Sequence, residues 1–479
     1  MAATFAAMHH LLLVPRLRRS SSRIVLSHLF LLASLAACGD DSSAPDAGPA
    51  DASAEDTGSA HDGGSPADAA SPPRDSGGDA PGGDDAAVDA GVAPSGPTIG
   101  ARPVSPSSPS ATDLYASPDV PYGSSEDLAA DGSRAAPLSL RRALERVEAG
   151  QTVWLRGGIY RFSLAGDDPY YPTAARSGTA DARIVIEGFP GERAVLEGTP
   201  SDWNVGSFST ERRSFRVQGR FVTLRNFEVR RNAAFGVYIE GDDVIVEGLT
   251  VHDNLQTGIA NHGERAIIRD NVVYGNSDYG YSNGIYDNGN NADGISSVLA
   301  TDGTVIEHNT VYGNSDDGID LFYGRSITVR RNRVYWNGRR PDGSMYTESD
   351  FRGNGQGIKM GGTGSQGNLA EHNLAFENLR HGFDISERDN LDCLMRFNTA
   401  WRNGGKGFYD LDGIGNLVQS NIASENSEGP SNGTDDEDDN SWQRSGTVAF
   451  VSTDPSSDEL LRPTPGGGFD DIGAYAEPR

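Results

Sequence analysis

Five residues of this 479-residue chain stand out for the chemistry they could do: Asp293, Asp316, Asp317, Asp320 and Lys359. Asp293 sits in NADGIS (291–296), and Asp316, Asp317 and Asp320 share NSDDGID (314–320). Carboxylates crowded together repel unless a cation neutralises them. An all-oxygen donor set suits a hard divalent ion, and Ca²⁺ accepts irregular geometry better than Mg²⁺. The competing expectation is a row of turn aspartates facing solvent. Lys359 lies in GNGQGIKMGG (353–362), among five glycines. Glycine lets a backbone or a ligand come close, so this lysine is either one half of a salt bridge or a base awaiting a substrate.

For these residues to meet, the chain must stack them. The segments NFEV, LTVHDN, NVVYGN, NTVYGN, NRVYWN, NLAFEN, NTAWRN and NIASEN recur every 22–25 residues, with two steps lengthened. Short β segments at that period predict a solenoid whose rungs bury their inner side chains against neighbouring rungs. The recurring asparagine predicts a stacked ladder at a tight turn, a structural role. A second column is Gly236, Gly258, Gly294, Gly318, Gly357, Gly382 and Gly407, each followed by an apolar residue. If that apolar residue points inward, the next one points out. The outward column then reads Tyr238, Ala260, Ser296, Asp320, Lys359, Asp384, Tyr409. The column before the glycine contains Asp293 and Asp317. Four carboxylates fall on two adjacent rungs and Lys359 on the next, with rungs about 4.8 Å apart.

An acidic surrounding alone raises a lysine's pKa. A cation that absorbs the aspartate charge lets it fall, and a neutral lysine can take a proton. A metal that also bound a substrate carboxylate would acidify the neighbouring carbon. Proton removal there, followed by loss of the 4-linked sugar, is β-elimination of a uronic-acid polymer.

Composition sets the frame. The formal charge of −28 argues against a nucleic-acid partner. Arg16, Arg18, Arg19 and Arg23 precede the apolar run LSHLFLLASLAAC, which reads as a secretory signal. Its ending, Leu35-Ala36-Ala37-Cys38, resembles a bacterial lipobox with Cys38 as the lipidated residue. Residues 1–38 are therefore expected to be a lipoprotein-type signal, the only tie to a membrane. Residues 39–110 are expected to be a disordered acidic Ala/Asp/Gly/Pro/Ser linker, and 111–479 the catalytic domain. The stretch SLRRALERVEAGQ (139–151) places Leu140, Ala143, Leu144 and Val147 on one helical face, a cap for the first rung. TVWLRGGIY reads as the first strands and GGGFDDIGAYAEPR as a terminal cover. Cys393 is expected to be unpaired and buried. The protein is expected to be exported, at the cell surface or secreted, and monomeric.

Together NADGIS, NSDDGID, GNGQGIKMGG and HNLAFENLRHGFD (372–384) resemble the pectate lyases of polysaccharide lyase family 9, over about residues 244–426. That resemblance implies an all-β fold, a right-handed parallel β-helix. It also implies Ca²⁺ held by Asp293, Asp316, Asp317 and Asp320, Lys359 as catalytic base, and an acidic, pectate-like polysaccharide as substrate. Two insertions, 276–291 and 338–352, depart from it. Arg339, Arg340 and Arg352 in or beside the second, and Arg380 and His381 one rung beyond Lys359, are candidates to grip substrate carboxylates; each could equally be an ordinary surface residue. The alternatives are a lyase on another uronan, a β-helix glycoside hydrolase using paired carboxylates, and a non-catalytic glycan-binding module on the same scaffold.

Overall fold

The computed structural model describes residues 98–476, apart from 167–168, 205–209, 282–287, 300, 363, 386–389, 412 and 434–436. Cys38, the signal segment and the linker as far as residue 97 lie outside the described residues. Among the described residues the chain winds into a parallel β-helix whose rungs contribute to three sheets of 12, 10 and 9 strands. Every strand pairing in these sheets is parallel, and most strands have only two to four residues.

The glycine-marked column stands in the expected register. Val237, Ile259, Ile295, Ile319, Ile358, Phe383 and Phe408 pair in sequence up the nine-stranded sheet. All of them are buried in the core. Each such side chain contributes roughly 1.5–3 kcal/mol by leaving water. The residue type before them is fixed by crowding. A Cβ on Gly318 would lie 2.6 Å from both Gly357 O and Asn337 Nδ2. Gly236, Gly258, Gly294, Gly357 and Gly382 meet the same pair of neighbours, the next glycine's carbonyl and a ladder asparagine.

The asparagines form two ladders rather than one. In the first, Asn271, Asn309, Asn332, Asn373, Asn398, Asn421 and Asn440 run rung to rung. In the second, Asn254, Asn276, Asn314, Asn337, Asn378, Asn403 and Asn426 do the same. Each backbone N–H and each side-chain amide donates to the Oδ1 of the asparagine on the next rung, as Asn309 does to Asn332 at 2.9 and 3.0 Å. Buried backbone donors at the turns are thereby satisfied without water.

Three features of the ends differ from expectation. Leu114–Ala116, not the TVWL segment, opens the 12-stranded sheet; three residues carry too little pattern to be read as a strand. The predicted helix forms over Leu140–Arg146, with Ser139 as N-cap, and buries Leu140, Ala143 and Leu144 beside Leu114–Ala116 and Thr152–Leu155. Residues 98–110, expected to belong to the linker, lie along the coil. Gly100 N donates to Arg331 O at 2.8 Å, Arg102 pairs with Asp270 at 2.6 Å, and Ser107 N donates to Glu187 Oε1 at 2.9 Å. Ile99 is the strap's one buried large apolar side chain, in a cluster with Leu374, Phe376 and Trp401, and the rest is held by backbone and charge, which hydropathy does not register. The C-terminal segment runs along a flank rather than over the last rung: Gly473 N donates to Ser420 O, Ala474 N to Thr399 Oγ1, and His372 Nδ1 to Ala474 O. Cys393 is a free, fully buried thiol, pushed up to about 11 by burial.

Candidate active site

The nine-stranded sheet assembles the site. Its outward column is Tyr238, Ala260, Ser296, Asp320, Lys359, Asp384, Tyr409 in direct cross-strand register. The column before the glycines is locked by a ladder of a different kind. Asp317 N donates to Asp293 Oδ1 at 3.2 Å, and Gln356 N to Asp317 Oδ1 at 2.8 Å. His381 N donates to Gln356 Oε1 at 2.8 Å, and Lys406 N to His381 Nδ1 at 2.8 Å. One oxygen of Asp293 and of Asp317 is thus spent on holding the side chain still. The other oxygen of Asp293 accepts from Thr257 Oγ1 at 3.1 Å. The other oxygen of Asp317 faces Lys359 Nζ at 3.8 Å.

Asp293, Asp317 and Asp320 each bring a carboxylate oxygen within 4.8 Å of the others. Asp316 is not part of that group of three: it is buried on the same rung, and its Oδ1 accepts from Asn354 N at 2.8 Å. Burial and mutual repulsion hold the carboxyls of Asp293 and Asp316 well above the usual carboxylate range and push Asp317 up to about 6. Burial raises Asp320 as well, against the pull of Lys359. Asp320 Oδ1 is buried with no hydrogen-bond donor among the described residues. An orphaned carboxylate oxygen in an all-oxygen cluster fits a hard cation such as Ca²⁺. For Lys359, burial favours the neutral amine but is outweighed by Asp320, Asp317, Asp316 and Asp384, so the ammonium form is held well above its ordinary pKa. The ammonium also lies 5.5 Å from the centre of the Phe322 ring. That ring occupies the space a Cβ on Gly362 would take, at 2.2 Å. Glycine around Lys359 is therefore a packing requirement.

The two insertions pack on one another. Tyr346 stacks on Phe351 with centroids 4.0 Å apart, and Tyr279 leans on both at 5.3 and 6.0 Å. Arg352 N donates to Asn288 O at 3.0 Å. Arg340 ties the second insertion to itself, through Glu348 at 2.8 Å and over the Tyr346 ring at 4.5 Å. Arg339 is half-buried, and its Nε has no acceptor among the described residues. Arg352 and Arg380 are exposed, and Arg380 is near enough to Asp317 to lower that carboxyl's pKa. His381 is stacked on Tyr409 at 4.5 Å. Thr257, Gln356 and Phe322 are contributions that sequence reading misses. Thr257 and Gln356 share the pre-glycine column with Asp293 and Asp317, so their position was a signal; Phe322 carries none.

Fold and site define a class: a parallel β-helix enzyme with its reactive groups on one sheet face. The family model described as the Pel9A-like right-handed β-helix region matches residues 122–432, and the chain belongs to that family. It is 30% identical to the pectate lyase PEL9 of Emericella nidulans, over 72% of this chain and 88% of that one. It is 27% identical to pectate lyase L of Paenibacillus polymyxa, over 63% of this chain and 67% of that one. Among solved structures, pectate lyase Pel9A superposes with a TM-score of 0.61 at 24% identity, covering 75% of this chain and 91% of that one. At that identity the superposition speaks for the fold.

Proposed function

We propose that this chain, a pectate lyase-like polysaccharide lyase, cleaves pectate by Ca²⁺-dependent β-elimination, with Lys359 as the base. The observation that carries the reading is Lys359 Nζ poised 3.8 Å from Asp317, one rung from Asp317 and Asp320 and two from Asp293, the three carboxylates that converge. Asp293, Asp317 and Asp320, with Asp316 beside them, would hold the ion. When bound, Ca²⁺ would offset the aspartate charge and engage a substrate carboxylate, acidifying the carbon next to it. Lys359 would then give up its proton to solvent and take the C5 proton of the uronate. The electron pair left on that carbon forms the C4–C5 double bond as the bond to the 4-linked oxygen breaks, and that oxygen leaves with the bonding pair and takes a proton from solvent. Arg380, exposed on the next rung, would meet a substrate carboxylate. Phe322 keeps one side of Lys359 apolar.

The test is a soluble form beginning before residue 98, given polygalacturonate with Ca²⁺ or with chelator. Absorbance of a 4,5-unsaturated uronate should appear only with Ca²⁺. Lys359→Ala should lower its rate by at least ~10²-fold, the lower range for a positioned proton acceptor. New reducing ends without that absorbance would mean hydrolysis and sink the reading. We propose also that the chain is exported and lipidated at Cys38 and works as a monomer on an acidic polymer. Radiolabelled fatty acid should enter the full-length protein and not Cys38→Ser.

A further inference from the structure

His381 is held more tightly than a surface histidine needs to be. Its ring lies flat on Tyr409, with 6° between the planes. A Cβ on Gly405 would fall 2.4 Å from Nδ1, so the chain leaves that space to the imidazole. Lys406 N donates to Nδ1 at 2.8 Å. That bond fixes the tautomer, because an Nδ1 that accepts leaves the proton on Nε2. Burial, Arg380 and Lys406 together push the ring down to about 4, so it stays neutral through the range in which the enzyme would work. Nε2 has no partner among the described residues, and the side chain is partly exposed. It stands in the same column as Asp293 and Asp317, with Gln356 between. The result is a stationary, uncharged N–H donor on the rung after Lys359.

Resting on the pectate-lyase reading, we propose that His381 is a specificity-determining residue whose Nε2–H donates to a hydroxyl of the sugar seated beyond Lys359. The arrangement divides the work of recognition. The exposed guanidinium of Arg380 suits a carboxylate. A neutral imidazole suits an uncharged oxygen, and it does not compete with the carboxylate cluster for the polymer's charge. A donor already fixed in place is not immobilised on binding, which is the source of its advantage.

The experiment compares wild type with His381→Phe and His381→Gln, on oligogalacturonides of increasing length. Phenylalanine keeps a ring for Tyr409 to stack on and has no donor. Glutamine places an N–H close to where Nε2 was. Phenylalanine loses the acceptor for Lys406 N, whereas glutamine keeps one in Oε1, as Gln356 does toward His381 N, so the phenylalanine variant should lose the more thermal stability. His381→Phe should raise KM by about 10-fold with kcat nearly unchanged, the loss of one hydrogen bond made equally in ground and transition states. His381→Gln should recover most of that KM. An unchanged KM in the phenylalanine variant would overturn the proposal, as would glutamine and phenylalanine being equally impaired, since the restored N–H would then bring nothing back. A fall in kcat alone would also overturn it. If wild type itself forms no unsaturated product, the pectate-lyase reading fails first and takes this inference with it; active wild type with indifferent variants refutes only the role of His381.

Discussion

Asp317 is the residue on which the site turns, because it serves the fold and the chemistry with different atoms. Its backbone N–H and Oδ1 belong to the rung-to-rung ladder, and Oδ2 belongs to Lys359. Its pKa gives a pH signature with a definite sign. A carboxyl raised in the folded state binds more protons folded than unfolded, so folding weakens as pH rises through that interval. For Asp317 the interval runs from the ordinary carboxylate value to about 6, and Asp293 and Asp316 push in the same direction. Chelated protein should therefore melt at lower temperature as pH rises from about 4 to about 7. Ca²⁺ should remove most of that slope, adding about 2.7 kcal/mol at one hundred times its Kd. Asp317→Asn should lose the Ca²⁺ effect. A melting series with and without chelator decides it; an unaltered slope on adding Ca²⁺ would refute the metal site. At this scale the sequence was largely legible, since a glycine followed by an apolar residue marks which neighbours face out. The offset of Asp316 was not, because the turn of its carboxyl toward Asn354 depends on a loop whose path has no periodicity.

The elements that hold the coil together include one that the apolar pattern hides. Along the 12-stranded sheet the outward column alternates in sign: Glu187, Arg225, Glu247, Arg269, Glu307, Arg330, Glu371, Arg396. Arg269 meets Glu247 at 2.6 Å, Arg330 meets Glu307 at 2.7 Å, and Arg396 meets Glu371 at 2.8 Å. Direct opposition of unlike charges favours each parallel pairing and penalises a slip of one rung, which would set like charges face to face. Glu247 is 2% exposed and lies between Arg225 and Arg269. Glu247→Ala should cost about 2 kcal/mol, less than a fully buried pair because both guanidiniums keep some water. Urea unfolding would show it. The strap at 98–110 makes a second element-scale prediction. A form starting at Ala111 lacks the partners of Asp270, Glu187 and Arg331. It should melt several degrees below one starting before residue 98, and equal melting would mean the strap contributes nothing. The charges were present in sequence at the repeat's own spacing. The strap was not legible, because its partners lie 80 to 231 residues away and it carries almost no apolar side chains.

At the scale of the molecule, the stack is nearly one-dimensional, since each rung touches only its neighbours. Damage should therefore stay local in its functional effect even where its cost in stability is the same. Asn314 and Asn421 are both fully buried ladder members. Asn314 receives both donors of Asn276 and gives its own to Asn337. Asn421 stands in the same relation to Asn398 and Asn440. Replacing either by alanine leaves buried backbone donors unmet, at a cost of about 1–3 kcal/mol. Asn314, however, lies two residues from Asp316 on the rung that carries the carboxylates, and Asn421 lies on a rung well past them. Asn314→Ala should weaken Ca²⁺ binding, read by calorimetry, while Asn421→Ala should bind Ca²⁺ as wild type does despite a comparable loss of stability. Equal weakening in both would mean that the coil responds as one cooperative body, and that the site depends on the whole stack rather than on the rungs that build it.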